Sequence, residues 1–239
     1  MEFVLSNCKN EKIRTSYRVS VLSDIFLDYK EILSEREIYK YTSFKTESGK
    51  SDFLLGRYSA KTAYMELKVS KKLCDIEIQN GIFGQPFFTN DSEFELSIAH
   101  SERIGGALVF DRAYPMGIDI ETRSRSKNKT DVFQYITKPD EVESIKRIPA
   151  CSSDDDQTLE FIVAWCVKEA LTKAIKTGLT IPTDLLRIEK FTKCDMLNDE
   201  DLFQCEYKNF PQYKGIAKIS NNYVIAIAYP QQLTVNKFE

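Results

Sequence analysis

The sequence predicts an α+β fold built from two similar halves, and three observations carry that expectation. The order strand, short helix, long helix, antiparallel strands occurs twice along the 239 residues. The two runs meet near Asp111–Pro115 with no low-complexity linker between them. With 42% apolar and 12% aromatic side chains, the chain can bury a sizeable core. The expectation is an internally duplicated pseudo-dimer of α+β halves, residues 1–112 and 113–239, with a seam where ligands favour binding. A single α+β domain whose halves match by chance is the alternative reading.

In the first half, Tyr17–Leu22 alternates like a strand, and Ser34 with Glu37 forms a capping box that opens a short helix. From residue 51 to about 70, Phe53, Leu54, Ala60, Ala63, Tyr64 and Leu67 recur at mostly helical spacings. Strands are expected at Cys74–Gln79, Phe94–His100 and Gly106–Phe110. The second half starts with a strand at Met116–Glu121 and a helix whose first turn holds Pro139, Asp140 and Glu141. A long helix is expected from about Asp156 to Lys176, ended by Gly178. Strands at Leu186–Phe191, Leu202–Lys208, Lys214–Ile219 and Tyr223–Tyr229 follow. The polar stretch Arg123–Asp131 and the acidic run Ser152–Asp156 read as loops.

Composition excludes several functions. The net charge of −3 offers no general basic field for nucleic acid. No apolar window is long enough for a membrane span or a signal peptide, so no membrane partner and a cytoplasmic location are expected. The six cysteines include no CxxC pair and read as buried thiols of a reducing compartment. A single histidine, His100, excludes any mechanism that needs two imidazoles.

The runs 94–100, 105–110 and 116–121 are joined by short polar gaps and read as a meander, with His100 and Glu121 at one end of a sheet on the strands flanking the middle one. Alternation in Gly117–Glu121 sends Asp119 and Glu121 to one face and Ile118 and Ile120 to the other. Two carboxylates so close suit a Mg²⁺ ion, or simply ion pairs with Arg123 or Arg125. On the long helix Trp165, Glu169 and Lys173 share one stripe, and Ile162 and Trp165 flank Glu169 and half-shield it, which fits a general base; the alternative is an ordinary Glu–Lys pair on a surface helix. Arg36 and Lys40, like Arg57 and Lys61, are spaced to face one anion or merely to form a wet helix face. No glycine-rich phosphate loop is present, so side chains must hold any phosphate.

Five segments, Leu54–Arg57, Gly84-Gln85-Pro86, Ser97–Ser101, Gly117–Glu121 and Trp165–Lys173, occur in an order that resembles the 4′-phosphopantetheinyl transferases of the larger, surfactin-type class. The resemblance implies a duplicated fold with its active site between the halves. It implies transfer of the 4′-phosphopantetheine arm of coenzyme A to a serine of an apo acyl or peptidyl carrier protein, releasing 3′,5′-ADP, by a monomer. Asp119, Glu121 and Glu169 would bind Mg²⁺ or Mn²⁺. Glu169 would also deprotonate the serine, and Lys173 would serve the leaving phosphate. The coenzyme A residues it implies are Arg36, Lys40, Gly84, Gln85, Pro86, His100, Ser101, Asp119 and Lys173. The family commonly has lysine where this chain has Gln85. A coenzyme A-binding or regulatory protein that has lost turnover is the second reading, and a plain interaction module the third.

Overall fold

The structure, a computed structural model, describes residues 2–69, 72–123, 137–146, 159–194 and 201–238. In chain order its elements are β1 (Phe3–Ser6), β2 (Lys12–Ile13), β3 (Thr15–Val21), α1 (Tyr29–Ile32), α2 (Glu35–Ser43), α3 (Glu47–Leu67), β4 (Ile78–Asn80), β5 (Pro86–Phe88), β6 (Phe94–Ser101) and β7 (Ile104–Asp111). There follow β8 (Gly117–Thr122), α4 (Pro139–Lys146), α5 (Leu159–Ala174), β9 (Ile188–Lys193), β10 (Leu202–Tyr207), β11 (Tyr213–Ile219), β12 (Tyr223–Pro230) and β13 (Thr234–Phe238).

Two main sheets, ordered β3-β7-β6 and β8-β12-β11-β10-β9, face each other. Their inner faces share one core, where Tyr17, Val19, Leu108 and Phe110 meet Ile118, Ile120, Ile225 and Ile227. The outer faces are covered by helices. Ala60, Ala63 and Tyr64 of α3 pack on Leu96, Ala107 and Val109, while Val163, Val167 and Leu171 of α5 pack on the far side of the second sheet. Alternate residues of β7 thus serve two different cores, as the period of two in a strand requires. The layers run helix, sheet, sheet, helix.

In each sheet the first strand pairs with the last: β3 with β7, and β8 with β12. Each half also carries the same buried tie. Glu37 on α2 accepts from Ser34 N (2.9 Å) and Ile78 N (3.2 Å) and pairs with Lys61 of α3. Glu141 on α4 accepts from Lys138 N (2.7 Å) and Ile188 N (2.7 Å) and pairs with Lys168 of α5 (2.9 Å). One carboxylate in each half therefore caps a short helix, anchors the long helix and satisfies the next strand.

The expected meander does not form. Both edges of β7 are taken, by β6 and by β3, so β8 crosses into the second sheet and pairs with β12. The strand expected at Cys74–Gln79 is a single 3-10 turn at Leu73–Asp75 followed by β4. Arg57 and Lys61 do not form a wet face: both are buried against Glu37. The strands β1, β2 and β13, which lack a clear alternation, form a separate small sheet. Among the thiols, Cys166, Cys194 and Cys205 are buried, but Cys8 is exposed and Cys74 half-buried, against the expectation of uniform burial. Cys151, the acidic run at 152–156 and most of the polar stretch at 123–131 lie outside the described residues. No helix among the described residues is long and apolar enough to cross a membrane.

Candidate active site at the seam

The site lies where β6 and β8, the facing edges of the two sheets, run side by side. No main-chain ladder joins them. Instead Ser97 Oγ accepts from Ile118 N and Ser101 Oγ accepts from Thr122 N, both at 3.1 Å. Ser101 Oγ in turn donates to Glu121 Oε2 at 2.8 Å. This fully buried serine braces the seam and lines neither cavity described below, unlike the coenzyme A contact that the resemblance implied.

The helix α5 crosses directly over β8. A Cβ at Gly117 would stand 2.1 Å from Ala170 O, so only glycine permits the approach. The close crossing brings the stripe of α5 onto the carboxylates. Trp165 Nε1 donates to Glu121 Oε1 at 3.1 Å, and Lys173 Nζ donates to Asp119 Oδ1 at 2.7 Å. Glu169 sits on the same stripe between them, half-buried. Burial works against the charge on Lys173, but Asp119 and Glu169 outweigh it and lift the ammonium above its usual pKa. Cys166, buried on the same helix, is pushed well up by burial and by the two carboxylates, which keeps it a neutral thiol.

Asp119 Oδ2 is buried and takes no hydrogen bond from the described residues. A bare carboxylate oxygen in such a place is costly unless a further ligand completes it, and an oxygen donor suits a hard divalent cation. Asp119 therefore fits a metal. As the side chains stand, no group of three His, Cys, Asp or Glu among the described residues is placed to hold a metal ion. The two oxygens of Glu121 accept from Ser101 and from Trp165.

Two cavities flank this line and share Gly84, Pro86 and Ile98 in their walls. The larger, of about 410 Å³, is lined by Lys40, Phe53, Arg57, Asn80 and His100. The smaller, of about 190 Å³, runs past Phe110, Met116, Thr172 and Lys173 to the exposed Phe83. His100 is half-exposed, its Nδ1 3.8 Å from Asp52 Oδ1. Lys40 stands 5.7 Å over the Phe53 ring; burial and then the neighbouring Arg57 lower its pKa. Arg36 does not join it: it points outward and pairs with Glu77 at 3.3 Å. Gln85 lines only the smaller cavity, and its Oε1 turns back to accept from Phe83 N at 3.0 Å.

Arg57, which helical spacing alone could not distinguish from a surface residue, is the main addition to the expected set. Its Nε lies 3.1 Å from Glu37 and its guanidinium 4.6 Å over Phe53. The buried group around Glu37 holds Lys61 and Arg57, two cations against one carboxylate, whereas among the described residues the tie at Glu141 pairs with Lys168. The surplus positive charge stands in the wall of the larger cavity. The signal for it was Glu37 itself, a carboxylate committed to a helix cap with two cations, Arg57 and Lys61, about three and four turns along the next helix.

Comparison with known proteins places the same segment in a family. Residues 115–228, from just before β8 into β12, match the model of the 4′-phosphopantetheinyl transferase superfamily. The holo-[acyl-carrier-protein] synthase of Lactococcus lactis subsp. lactis is 36% identical over 87 residues, covering 33% of this chain and 73% of that protein. That of Staphylococcus carnosus is 31% identical over 84 residues, covering 33% and 72%. Among solved structures, a Bacillus anthracis holo-(acyl-carrier-protein) synthase in complex with CoA (3′,5′-ADP) matches with a TM-score of 0.37 at 26% identity, covering 44% of this chain and 95% of that one. With relatives of this similarity matched over most of their length, the chain belongs to the 4′-phosphopantetheinyl transferase superfamily and is an enzyme of that family.

Proposed function

We propose that this chain transfers the 4′-phosphopantetheine arm of coenzyme A to a serine hydroxyl of an apo acyl or peptidyl carrier protein, releasing 3′,5′-ADP. The observation that carries the reading is the pairing of Asp119 with Lys173 at 2.7 Å, where Lys173 lines the smaller and more apolar cavity while Lys40, Arg57 and His100 line the larger one across the shared wall. The first cavity suits the nucleotide phosphates, with Lys40, Arg57 and His100 as their partners, and the second suits the pantetheine arm. The pyrophosphate then lies near Lys173. We further propose that residues 1–112 and 113–239 are two copies of one unit, as in the surfactin-type class. The repeated Glu–Lys tie and the matching strand order support this.

Asp119 would hold Mg²⁺ or Mn²⁺, with Glu121 and Glu169 turning toward it to complete the set, and the ion would supply charge neutralisation at the pyrophosphate oxygens. The residues of the chain do the remaining work. Lys173 stays protonated beside Asp119 and can donate to the departing phosphate oxygen. Glu169, one helical turn away and half-shielded, accepts the proton of the attacking serine. Trp165 holds Glu121 from the helix side and Ser101 from the strand side, which fixes the carboxylate against β8. Positioning and charge neutralisation are what phosphoryl chemistry demands of an enzyme.

The test is to mix the protein with coenzyme A, Mg²⁺ and an apo carrier and to weigh the carrier by mass spectrometry. A carrier heavier by one phosphopantetheine arm supports the transferase. Tight coenzyme A binding with an unchanged carrier would support a catalytically weak binding or regulatory protein instead.

A further inference from the structure

The wall shared by the two cavities is built from Ile98 of β6 and from residues 81 to 86, the turn after β4 with the first residue of β5. Its tip is unpacked, with Ile82 91% and Phe83 80% exposed, so its shape depends on hydrogen bonds. Gly81 N donates to Gln85 O at 2.7 Å, Gly84 N donates to Gly81 O at 2.9 Å, and Gly84 takes a φ of 79° that only glycine adopts without strain. Two side chains brace it. Gln85 works from inside, through its bond from Phe83 N. Asn80 works from outside: its Nδ2 donates to Gly84 O at 2.7 Å while its Oδ1 accepts from the Arg57 guanidinium at 2.9 Å.

Arg57 is a firm anchor, 7% exposed and held by Glu37 and the Phe53 ring. Through Asn80 the buried Glu37–Arg57 pair therefore reaches the carbonyl of Gly84, a residue that lines both cavities. We propose that Asn80 is a positioning residue: its neutral amide clamps the 81–86 turn to Arg57, so that the wall between the two cavities is preformed before coenzyme A arrives. This rests on the transferase reading for its ligand. The clamp gives the uncharged Gln85 a purpose: with its side chain folded into the turn, the loop contributes shape, and the charge at this wall comes from Arg57. Preforming a wall lowers the ordering cost of binding, so its loss is expected in affinity rather than in the chemical step.

The test uses Asn80→Ala, Gln85→Ala and the double variant in the full chain, with amide hydrogen exchange, coenzyme A titration calorimetry and steady-state kinetics. For Asn80→Ala we expect faster exchange at Gly81 and Gly84, a five- to tenfold rise in Kd and KM for coenzyme A, kcat within twofold and an unchanged melting temperature. Because both side chains brace one turn, the double variant should weaken binding by less than the product of the single effects. Unchanged exchange in the turn overturns the clamp. So do faster exchange with unaltered affinity, and strictly multiplicative effects, which mark a direct ligand contact. Wild-type protein that binds no coenzyme A refutes the transferase reading itself, and the exchange measurement still judges the clamp.

Discussion

Replacing Glu141 by glutamine tests the buried tie that both halves repeat. The carboxylate is 1% exposed and serves three donors: Lys168 Nζ at 2.9 Å and the backbone N–H groups of Ile188 and Lys138, each at 2.7 Å. Glutamine keeps the size and one acceptor but takes the Glu141 charge away from the Lys168 ammonium, which is 3% exposed. Breaking a buried pair from one side costs about 3–5 kcal/mol. For a chain of this size each kcal/mol lowers the melting temperature by about 2–4 °C, so a fall of roughly 6–20 °C is expected. The double variant Glu141→Gln/Lys168→Met removes both charges and should recover most of the loss, because apolar replacement of a whole buried pair is often close to neutral. Urea unfolding of the wild type, both singles and the double closes the cycle. Single effects below about 1 kcal/mol, or effects that simply add, would refute the assignment of this pair as a structural tie. The companion change Glu37→Gln strands two cations, Lys61 and Arg57, and should cost more than its counterpart.

Glu169→Gln should reduce transfer by about 10²- to 10⁴-fold while leaving the melting temperature in place, and wild-type turnover would contradict its role as base. For Asp119→Ala the expectation is lost activity and a raised Mg²⁺ requirement, together with a lower pKa for Lys173, whose burial is then opposed by Glu169 without Asp119; an unaltered metal dependence would remove Asp119 from the metal site. His100→Ala should weaken coenzyme A about tenfold in calorimetry, the scale of one charge-assisted hydrogen bond, and equal affinity would count against a phosphate contact. Asp91 supplies a pH test. Burial pushes its carboxyl up, but Lys68, the Tyr64 hydroxyl and the N–H groups of Phe94 and Glu93 together bring it down to about 2. A depressed acid contributes stability that is present above the unfolded value and lost as pH falls toward 2, so Asp91→Asn should flatten the acid limb of stability between about pH 4 and 2. An acid limb as steep as that of the wild type would show that the carboxylate is not the group responsible.

What could be read from the residues alone was whatever depends on near neighbours in the chain. The Ser34–Glu37 capping box is formed as expected, with Glu37 N 3.4 Å from Ser34 Oγ and Ser34 N 2.9 Å from Glu37 Oε2. The helical stripe of Trp165 and Lys173 does meet the alternating face of β8, because periods of 3.6 and 2 determine which side chains point the same way. Gly178 takes the left-handed conformation expected of it, with φ of 55°. Strand pairing was not legible. The partner of β7 is β3, some ninety residues earlier, and no local pattern names it. The same holds for β1, whose neighbour β13 lies at the other end of the chain. Burial of cations was equally hidden, since Arg57 and Lys61 look like any charged helix face until Glu37 is brought against them.

The two serines between β6 and β8 also bear on solubility. An open strand edge invites any passing chain to extend the sheet, and each main sheet has such an edge at the middle of the molecule. Ser97 and Ser101 direct their hydroxyls to the spare amides of Ile118 and Thr122, so each border conceals the other and neither is left as a template for fibril growth. The cleft where chemistry is expected is thereby also the place where the protein guards itself against self-association.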